Sequence, residues 1–438
     1  MKDGKRVVIT YGTFDLFHKG HYNILKRARE YGDYLIVGVT GESYDMGRGK
    51  LSVHDSIAER INNVMNTDLV DEIIIEEYLG QKIRDIIKYN VDVFVIGDDW
   101  RGKFDHISNY CELVYLPRTK DISSTQLRKE QDRRYSIGMI TDRNDDNQLT
   151  YEASMVSGFS LASVFSEDDE LAGSVSKRFG IEHVARNVEE LVASSDIVFV
   201  QTDIRDRYRY IRKALEGGKH VICDIPYSLD PEEHVELIKL ARDSRCILFS
   251  NMKFYCTQVF VQLLWHIQGG LIGDIIRMEC SISKNNIKIV QLFYELTAMA
   301  LSPVIKLMGR DYNDLSYELT ELSERGETEF ATITLKYPKG QAIVNVGNKI
   351  RVENKIEIIG TEGTIRMGDD WWRGRSFELI SVDGSETRKF TTNFSGNGFR
   401  LIIRQILDMI RSGKIDYELF GAEDLTVVTD IISSMQRN

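Results

Sequence analysis

Proline is scarce, with 5 residues in a chain of 438, which argues against a proline-rich spacer or a disordered tail. Cysteine is equally sparse. Its 5 copies, Cys111, Cys223, Cys246, Cys256 and Cys280, are odd in number and widely spaced, with no CxxC pair. That excludes a disulfide framework and leads us to expect reduced, mostly buried thiols in a cytoplasmic protein. No uninterrupted apolar run reaches membrane-spanning length, and the opening MKDGKRVVITYG lacks the apolar core of a signal peptide. Positive charge is in deficit. A net charge of -11 argues against a nucleic-acid or anionic-membrane surface, while leaving room for a local basic pocket.

What is present suits a globular protein: 42% hydrophobic and 28% charged residues. The length exceeds one ordinary core, so two or three domains are expected. Strands are predicted at 6–10, 34–39, 72–75, 91–96 and 112–116, with helices at 22–31, 56–66 and 79–88 between them. Short apolar strands alternating with helices predict a mostly parallel sheet covered on both faces. The charged stretch Arg128 to Arg134 reads as a linker or shared helix end. A second α/β pattern follows, with strands at 136–141, 158–165, 196–200, 219–223 and 245–249 and helices at 168–179, 205–217 and 231–242. Beyond it, helix 257–269, strand 276–282 and helix 291–308 precede alternating strands at 314–321, 328–336, 341–347 and 353–358, with more toward 387. That run predicts an antiparallel sheet with one covered face, closed by helices 397–412 and 420–435.

The sharpest local signal is the segment from Gly12 to His21, GTFDLFHKGH, between a buried strand and a helix. Helix N-termini offer unpaired N–H groups and favour anions. Gly12 and Gly20 would let backbone approach phosphate, and His18 and His21 lie one turn apart, so both imidazoles can face one ligand. Two histidines with Asp15 also match part of a zinc set. A second segment, Arg118–Thr119–Lys120–Asp121–Ile122–Ser123–Ser124–Thr125, follows a strand. Its hydroxyls, N–H groups and guanidinium suit phosphate, although Ser-Ser-Thr alone is more often a helix cap.

These two segments resemble the signatures of the HxGH nucleotidylyltransferase superfamily. Residues 5–128 resemble more closely the glycerol-3-phosphate cytidylyltransferases of teichoic acid synthesis, through VDVFVIGDDWRGKFD at 91–105 and YLPRT at 115–119. The resemblance implies a Rossmann-like nucleotidylyltransferase domain in which Thr13 and Phe14 begin the nucleotide cradle. It implies that His18 and His21 bind triphosphate oxygens, and that Arg118, Thr119, Ser123, Ser124 and Thr125 contact the nucleotide phosphates. Lys50 would neutralise triphosphate, and Arg48 and Lys82 would meet the acceptor phosphate. Asp98, Asp99 and Trp100 match the segment near the site. Catalytic work would fall to His18, His21, Lys50 and Arg118. The implied reaction is attack by an acceptor phosphate on the α-phosphorus of CTP, with Mg²⁺ accompanying the triphosphate and no protein metal ligand assigned. Glycerol 3-phosphate is the expected acceptor, with ribitol, erythritol, ethanolamine and choline phosphates as alternatives.

Residues 135–438 resemble the Gfo/Idh/MocA oxidoreductases, through FGIEHVARNVEELV at 179–192, ALEGGKHVICDIP at 214–226, GLIGDI at 270–275 and IEIIGTEGTIRM at 356–367. The fold class expected overall is α/β: the first Rossmann-like domain at 1–131, a second Rossmann-like domain at 132–255, and an α+β domain with a mostly antiparallel sheet at 256–438. Three departures lead us to expect no NAD(P). The turn after the first strand, Thr141 to Asn147, reads TDRNDDN in place of a Gly-rich pyrophosphate turn. Ile225 stands in the Asp224–Ile225–Pro226 segment where the family carries lysine, and the family's acid–histidine pair falls on Glu295 and Met299, which cannot exchange a proton. A repurposed scaffold is the expectation, with a bifunctional enzyme and a nucleotide-sensing scaffold as alternatives. A homodimer is expected from the resemblance on both halves.

Overall fold

The computed structural model describes residues 4–41, 44–45, 53, 55–78, 80–117, 135–143, 152, 155–156, 158–284, 292–321, 328–392 and 396–436. It divides into two compact units, Met1–Arg133 with Ser154–Ser157, and Arg134–Ala153 with Gly158–Asn438.

In the first unit, β1 (Val7–Gly12), β2 (Tyr34–Thr40), β3 (Glu72–Glu76), β4 (Val93–Gly97) and β5 (Glu112–Leu116) form one sheet of order β3-β2-β1-β4-β5. Every pairing is parallel. The strands read as apolar runs because both faces are covered. Val8, Val37 and Val95 pack with Leu25 and Ala28 of α1 (Lys19–Arg29) and Val64 of α2 (Ile57–Met65). Ile9, Tyr11, Ile36 and Phe94 pack on the opposite side with Ile86 of α3 (Gln81–Tyr89). Helix α1 starts at Lys19, earlier than the periodicity from Tyr22 predicts, because His18 itself is the cap.

In the second unit, β6 (Tyr135–Thr141), β7 (Phe159–Phe165), β8 (His183–Val184), β9 (Ile197–Gln201), β10 (His220–Cys223) and β11 (Leu248–Ser250) form a second parallel sheet, ordered β11-β10-β9-β6-β7-β8. Its helices are α4 (Asp169–Phe179), α5 (Val188–Ala193), α6 (Ile204–Glu216) and α7 (Pro231–Asp243). Asp or Asn caps each of them: Asp168, Asn187, Asp203 and Asp230 accept from backbone N–H groups of the first turn. After α8 (Gln258–Gln268), an eight-stranded sheet combines β12 (Ile275–Lys284), β13 (Asp314–Glu321), β14 (Thr328–Tyr337), β15 (Gly340–Asn348), β16 (Lys355–Gly360), β17 (Gly363–Met367), β18 (Ser376–Ser381) and β19 (Thr387–Thr391). Its pairings are antiparallel except that of β12 with β15. Alternate residues Ala331, Ile333 and Leu335 of β14 and Ala342, Val344 and Val346 of β15 are buried, as a one-sided sheet requires. Helix α9 (Leu292–Met308) packs on β12 and β15, while α10 (Phe399–Ser412) and α11 (Ala422–Gln436) end the chain. One apolar cluster runs continuously from Val198 and Val221 of the parallel sheet to Val344 and Ile358 of the other.

The expected α/β architecture is therefore present: parallel Rossmann-like sheets, then a mostly antiparallel one. No helix among the described residues is long and apolar enough to cross a membrane. The cysteines are unpaired, with Cys223, Cys246 and Cys280 buried.

Candidate active site

Strand order in the first sheet reverses between β1 and β4, so a crevice opens beyond their carboxyl ends, where ligands settle in parallel α/β sheets. The loop after β1 supplies Thr13, Phe14 and His18, and the first turn of α1 supplies His21. The turn after β4 supplies Asp98, Asp99 and Trp100 as a single 3-10 turn. Arg48 and Lys50 follow β2 in the chain, and Arg118, Thr119, Ser123, Ser124 and Thr125 follow β5; these seven lie outside the described residues, as does the expected linker at Arg128 to Arg134. Pro117, just before the second group, accepts at its carbonyl from the Arg27 guanidinium of α1 at 2.8 Å, which ties the end of β5 to the helix that begins at His18.

His18 stands at the N-cap of α1. Its extended backbone (φ -138°) lets Nδ1 accept from the Gly20 N–H at 3.0 Å. Accepting there requires an unprotonated Nδ1, so the neutral ring carries its proton on Nε2 and keeps that nitrogen as a donor. His21, one turn along, stacks on His18 with ring centroids 3.9 Å apart and planes 16° from parallel. Phe14 and Phe17 approach the His21 ring at 5.5 and 5.6 Å. The structure thus brings the two imidazoles together at the positive end of a helix dipole, as an anion site requires.

The loop between β1 and α1 is strained. Phe14 and Leu16 adopt left-handed backbone, φ 54° and 47°, which costs non-glycine residues roughly 1 kcal/mol or more each. Gly12 makes room for the Phe14 ring, since a Cβ there would fall 2.9 Å from it. Three residues hold the strain in place. Asp15, 1% exposed, accepts from the Asp55 N–H at 2.9 Å, and Asp55 in turn accepts from the Leu16 N–H at 2.9 Å. Asp15 is therefore neither a solvated turn residue nor turned outward as a metal ligand. Arg60, fully buried on α2, donates to the carbonyls of Thr13 (3.0 Å), Thr40 (2.8 Å) and Asp55 (3.1 Å). Helix α2 can present it because Ser56 and Glu59 close a reciprocal capping box at its start. Sequence reasoning missed Arg60 and Asp55. The Ser56-x-x-Glu59 box was a readable signal for the helix start, but nothing in the sequence points a helical arginine at a loop 47 residues away.

Lys82 begins a second cluster on the other face of the sheet, at the same edge. Its ammonium pairs with Glu76, the buried last residue of β3, and lies 4.5 Å from the centre of the Tyr11 ring. Tyr11 donates to Asp85 at 2.8 Å, and burial, reinforced by Asp85, pushes the phenol far above its ordinary range. Trp100 is exposed and packs on Phe104 at 5.7 Å; Asp99 is exposed beside it. No group of three or more His, Cys, Asp or Glu able to hold a metal occurs among the described residues.

The carboxyl edge of the second parallel sheet is arranged differently. Arg143, just after β6, donates to the Thr202 carbonyl at 2.8 Å and stands 3.6 Å from Glu295. Arg207, fully buried on α6, donates to the carbonyls of Thr202 and Pro226, each at 3.0 Å, and pairs with Glu295. Burial pushes the Glu295 carboxyl up, while Arg207 and Arg143 pull it the other way. Asp142 accepts from the Asp203 N–H, at the start of α6. Ile225 is buried, and Met299 packs against the apolar core. Residues 144–147 of the turn lie outside the described residues.

The chain's similarities follow the same division. Residues 9–130 match the family model described as cytidylyltransferase-like, and residues 140–252 match that of the Gfo/Idh/MocA oxidoreductase family with an NAD-binding Rossmann fold. The glycerol-3-phosphate cytidylyltransferase of Bacillus spizizenii is 53% identical over 123 residues, covering 28% of this chain and 95% of that protein. The ethanolamine-phosphate cytidylyltransferase of Arabidopsis thaliana is 31% identical over 133 residues, 30% of this chain and 26% of its own length. Among solved structures, the 3-ketoreductase KijD10 from Actinomadura kijaniata, determined with NADP and TDP-benzene, superposes with a TM-score of 0.60 over 69% of this chain and 97% of its own, at 17% identity. That likeness concerns the fold.

Proposed function

The chain belongs, through its first unit, to the cytidylyltransferase-like family of nucleotidyltransferases, and from that premise we propose that it joins CTP to glycerol 3-phosphate, giving CDP-glycerol and diphosphate. The observation that carries this reading is the stacked pair His18 and His21 at the start of α1, beside the sheet's switch point. An acceptor phosphate oxygen forms the new bond to the α-phosphorus of CTP. The α–β bridging bond breaks, and its electron pair leaves with diphosphate. The acceptor is already an anionic nucleophile, so no general base is needed. The histidines' work is to hold triphosphate oxygens and to donate as negative charge grows on the leaving group. The Nε2–H of His18 suits that role. Lys50, Arg118 and Ser124 would complete the phosphate contacts, on the strength of the resemblance. The donors at this edge are imidazoles and N–H groups, while Asp15 and Asp55 bond backbone N–H groups. Mg²⁺ therefore fits as a companion of the triphosphate, held by its oxygens and shielding their charge.

For the second unit we propose a scaffold without hydride chemistry. A dinucleotide needs close backbone approach at the turn after β6. Asp142 and Arg143 stand there with bulky side chains bonded to the start of α6 and to the Thr202 carbonyl just after β9, and the Glu295 carboxylate faces two arginines in place of a proton relay with a histidine.

Incubating the full chain with CTP, Mg²⁺ and a panel of glycerol, ribitol, erythritol, ethanolamine and choline phosphates tests the reading. Diphosphate release matched one-to-one by a product of the mass of CDP-glycerol is expected. Release of no diphosphate with any acceptor would overturn it.

A further inference from the structure

The buried carboxylates of the second unit are matched by arginines, and what is left over there is positive. Glu152 is taken up by Arg400, whose guanidinium and backbone N–H donate to it at 2.8 and 3.0 Å. Glu295 faces Arg207 and Arg143, and Arg143 also answers the charge of Asp224. Lys253 has no such match. It begins the 3-10 turn Lys253–Cys256, shortly after β11, and among the described residues its ammonium makes no hydrogen bond or ion pair. Burial lowers its pKa; Asp224 and Glu152 work against that, while Lys284 and Arg373 add to it. Three cations therefore share one neighbourhood.

Their backbones are held together. Phe254, next to Lys253, meets the Trp371 ring edge-on at 5.5 Å. Trp371 opens a second 3-10 turn, Trp371–Arg373, and its indole donates to the Ser281 carbonyl of β12 at 3.2 Å. Gly374 ends that turn in left-handed backbone, φ 55°, where a Cβ would fall 2.3 Å from the Thr257 hydroxyl. The two turns and β12, which ends at Lys284, are thus one packed body. Beside it stands Asn251. Its N–H donates to the Cys223 carbonyl at 2.7 Å, and its Nδ2 donates to Asp224 at 2.6 Å. Turning the amide over would set its oxygen against that carboxylate, so the orientation is fixed. Its Oδ1 is buried and has no donor among the described residues, a state that costs about 1–3 kcal/mol. The partner it calls for is a donor such as a hydroxyl.

We propose that Lys253, Lys284 and Arg373 form an anion site of the second unit that takes a small hydroxylated phosphate or carboxylate, the anion lying against the cations and a hydroxyl donating to Oδ1 of Asn251. An anion without a hydroxyl meets the cations alone, and a neutral polyol meets Asn251 alone. Only a ligand with both satisfies every group left open. Binding there needs no nicotinamide and no hydride transfer, and it is independent of the cytidylyl transfer proposed for the first unit.

The test is reductive methylation of the full wild-type chain with formaldehyde and cyanoborohydride, followed lysine by lysine by peptide mass spectrometry. The neutral amine is the reactive form, so an anion seated against Lys253 slows its labelling. Glycerol 3-phosphate, glycerate, inorganic phosphate and glycerol are added in turn, with the exposed Lys177 of the same unit as reference. Saturating glycerol 3-phosphate or glycerate should slow Lys253 by about tenfold or more, because an opposite charge in contact favours the ammonium by a pKa unit or more. Whichever of the two protects at lower concentration identifies the anion as phosphate or carboxylate. Inorganic phosphate should need a higher concentration than the better of the two, and glycerol should have no effect. Lys284→Gln and Arg373→Gln, both at exposed positions, should each raise the half-protecting concentration by about two- to fivefold. Lys253 labelling that no anion slows, protection equal to that of Lys177, or inorganic phosphate protecting as well as the hydroxylated anions would overturn the inference. Since the signal is read at Lys253 itself, that failure leaves the transfer reaction standing, and loss of transfer activity leaves this site standing.

Discussion

At the carboxyl edge of the first parallel sheet, His18 and His21 stack 3.9 Å apart at a helix start, on a loop held in left-handed backbone. At the same edge of the second, Arg143 and Arg207 close onto Glu295 and onto the carbonyls of Thr202 and Pro226. The topology is related, but the treatment of charge is opposite. In the first unit buried polar groups, Arg60, Asp15 and Asp55, act on the backbone of the loop and leave imidazoles facing the helix start. In the second, charges at the strand ends satisfy one another. A Rossmann-like edge is thus a place for chemistry only where its polar groups are supported from behind, and becomes part of the core where they pair among themselves.

The largest stability effect expected from this comparison lies in the second unit. Arg207→Met leaves Glu295 in a buried site without its closest partner and the Thr202 and Pro226 carbonyls short of a donor. Denaturant unfolding of the full chain should show a loss of about 3–5 kcal/mol, with cytidylyl transfer per folded molecule unchanged. A matching fall in transfer would blur the contrast between the units. Next comes acid sensitivity. His234 is fully buried, and burial lowers its imidazole from 6.5 to about 4. Between those values the unfolded chain binds the proton and the folded one does not, so stability falls as pH drops from 6.5 toward 4, by on the order of 3 kcal/mol at full extent. His234→Leu should remove that share of the pH dependence, read from melting curves across the same window. Smaller again is Gly38→Ala in the first unit. A Cβ 2.2 Å from the Tyr11 ring forces the ring to move, which should cost about 1–3 kcal/mol and raise KM for the acceptor through Lys82 while KM for CTP holds. The smallest expected effect is none: titrating NADH or NADPH into the full chain should give no saturable signal, and saturable binding would make the two edges alike after all.

Much of this was legible in the sequence. Apolar strands such as 34–39 and 91–96, bounded by turns, gave the parallel sheet, because strands buried on both faces leave little else for such runs to do. The GTFDLFHKGH segment announced a strand-to-helix turn with two histidines at the helix start, and the structure has that turn. What stayed hidden depends on distance in the chain. Arg60 looks like any helical arginine until α2 carries it to the Thr13 carbonyl. Asp15 reads as a turn acid until Asp55 meets it from 40 residues away. Arg207 sits among Arg205, Arg209 and Arg212 in a helix whose other arginines are partly exposed, and only the fold buries this one. Lys82 was expected to meet a phosphate, but its pairing with Glu76 and its place over Tyr11 follow from the register that sets Tyr11 beside Gly38.

A double-mutant cycle on the stacked imidazoles tests the central claim most directly. CTP-dependent transfer to glycerol 3-phosphate would be measured for His18→Ala, His21→Ala and the pair, alongside melting curves. Acting as one grip on the triphosphate, each single change should lower turnover by about 10²–10³, the double change should add little more, and the melting temperature should stay close to that of the wild type. Near-wild-type turnover in either folded single variant would contradict the account.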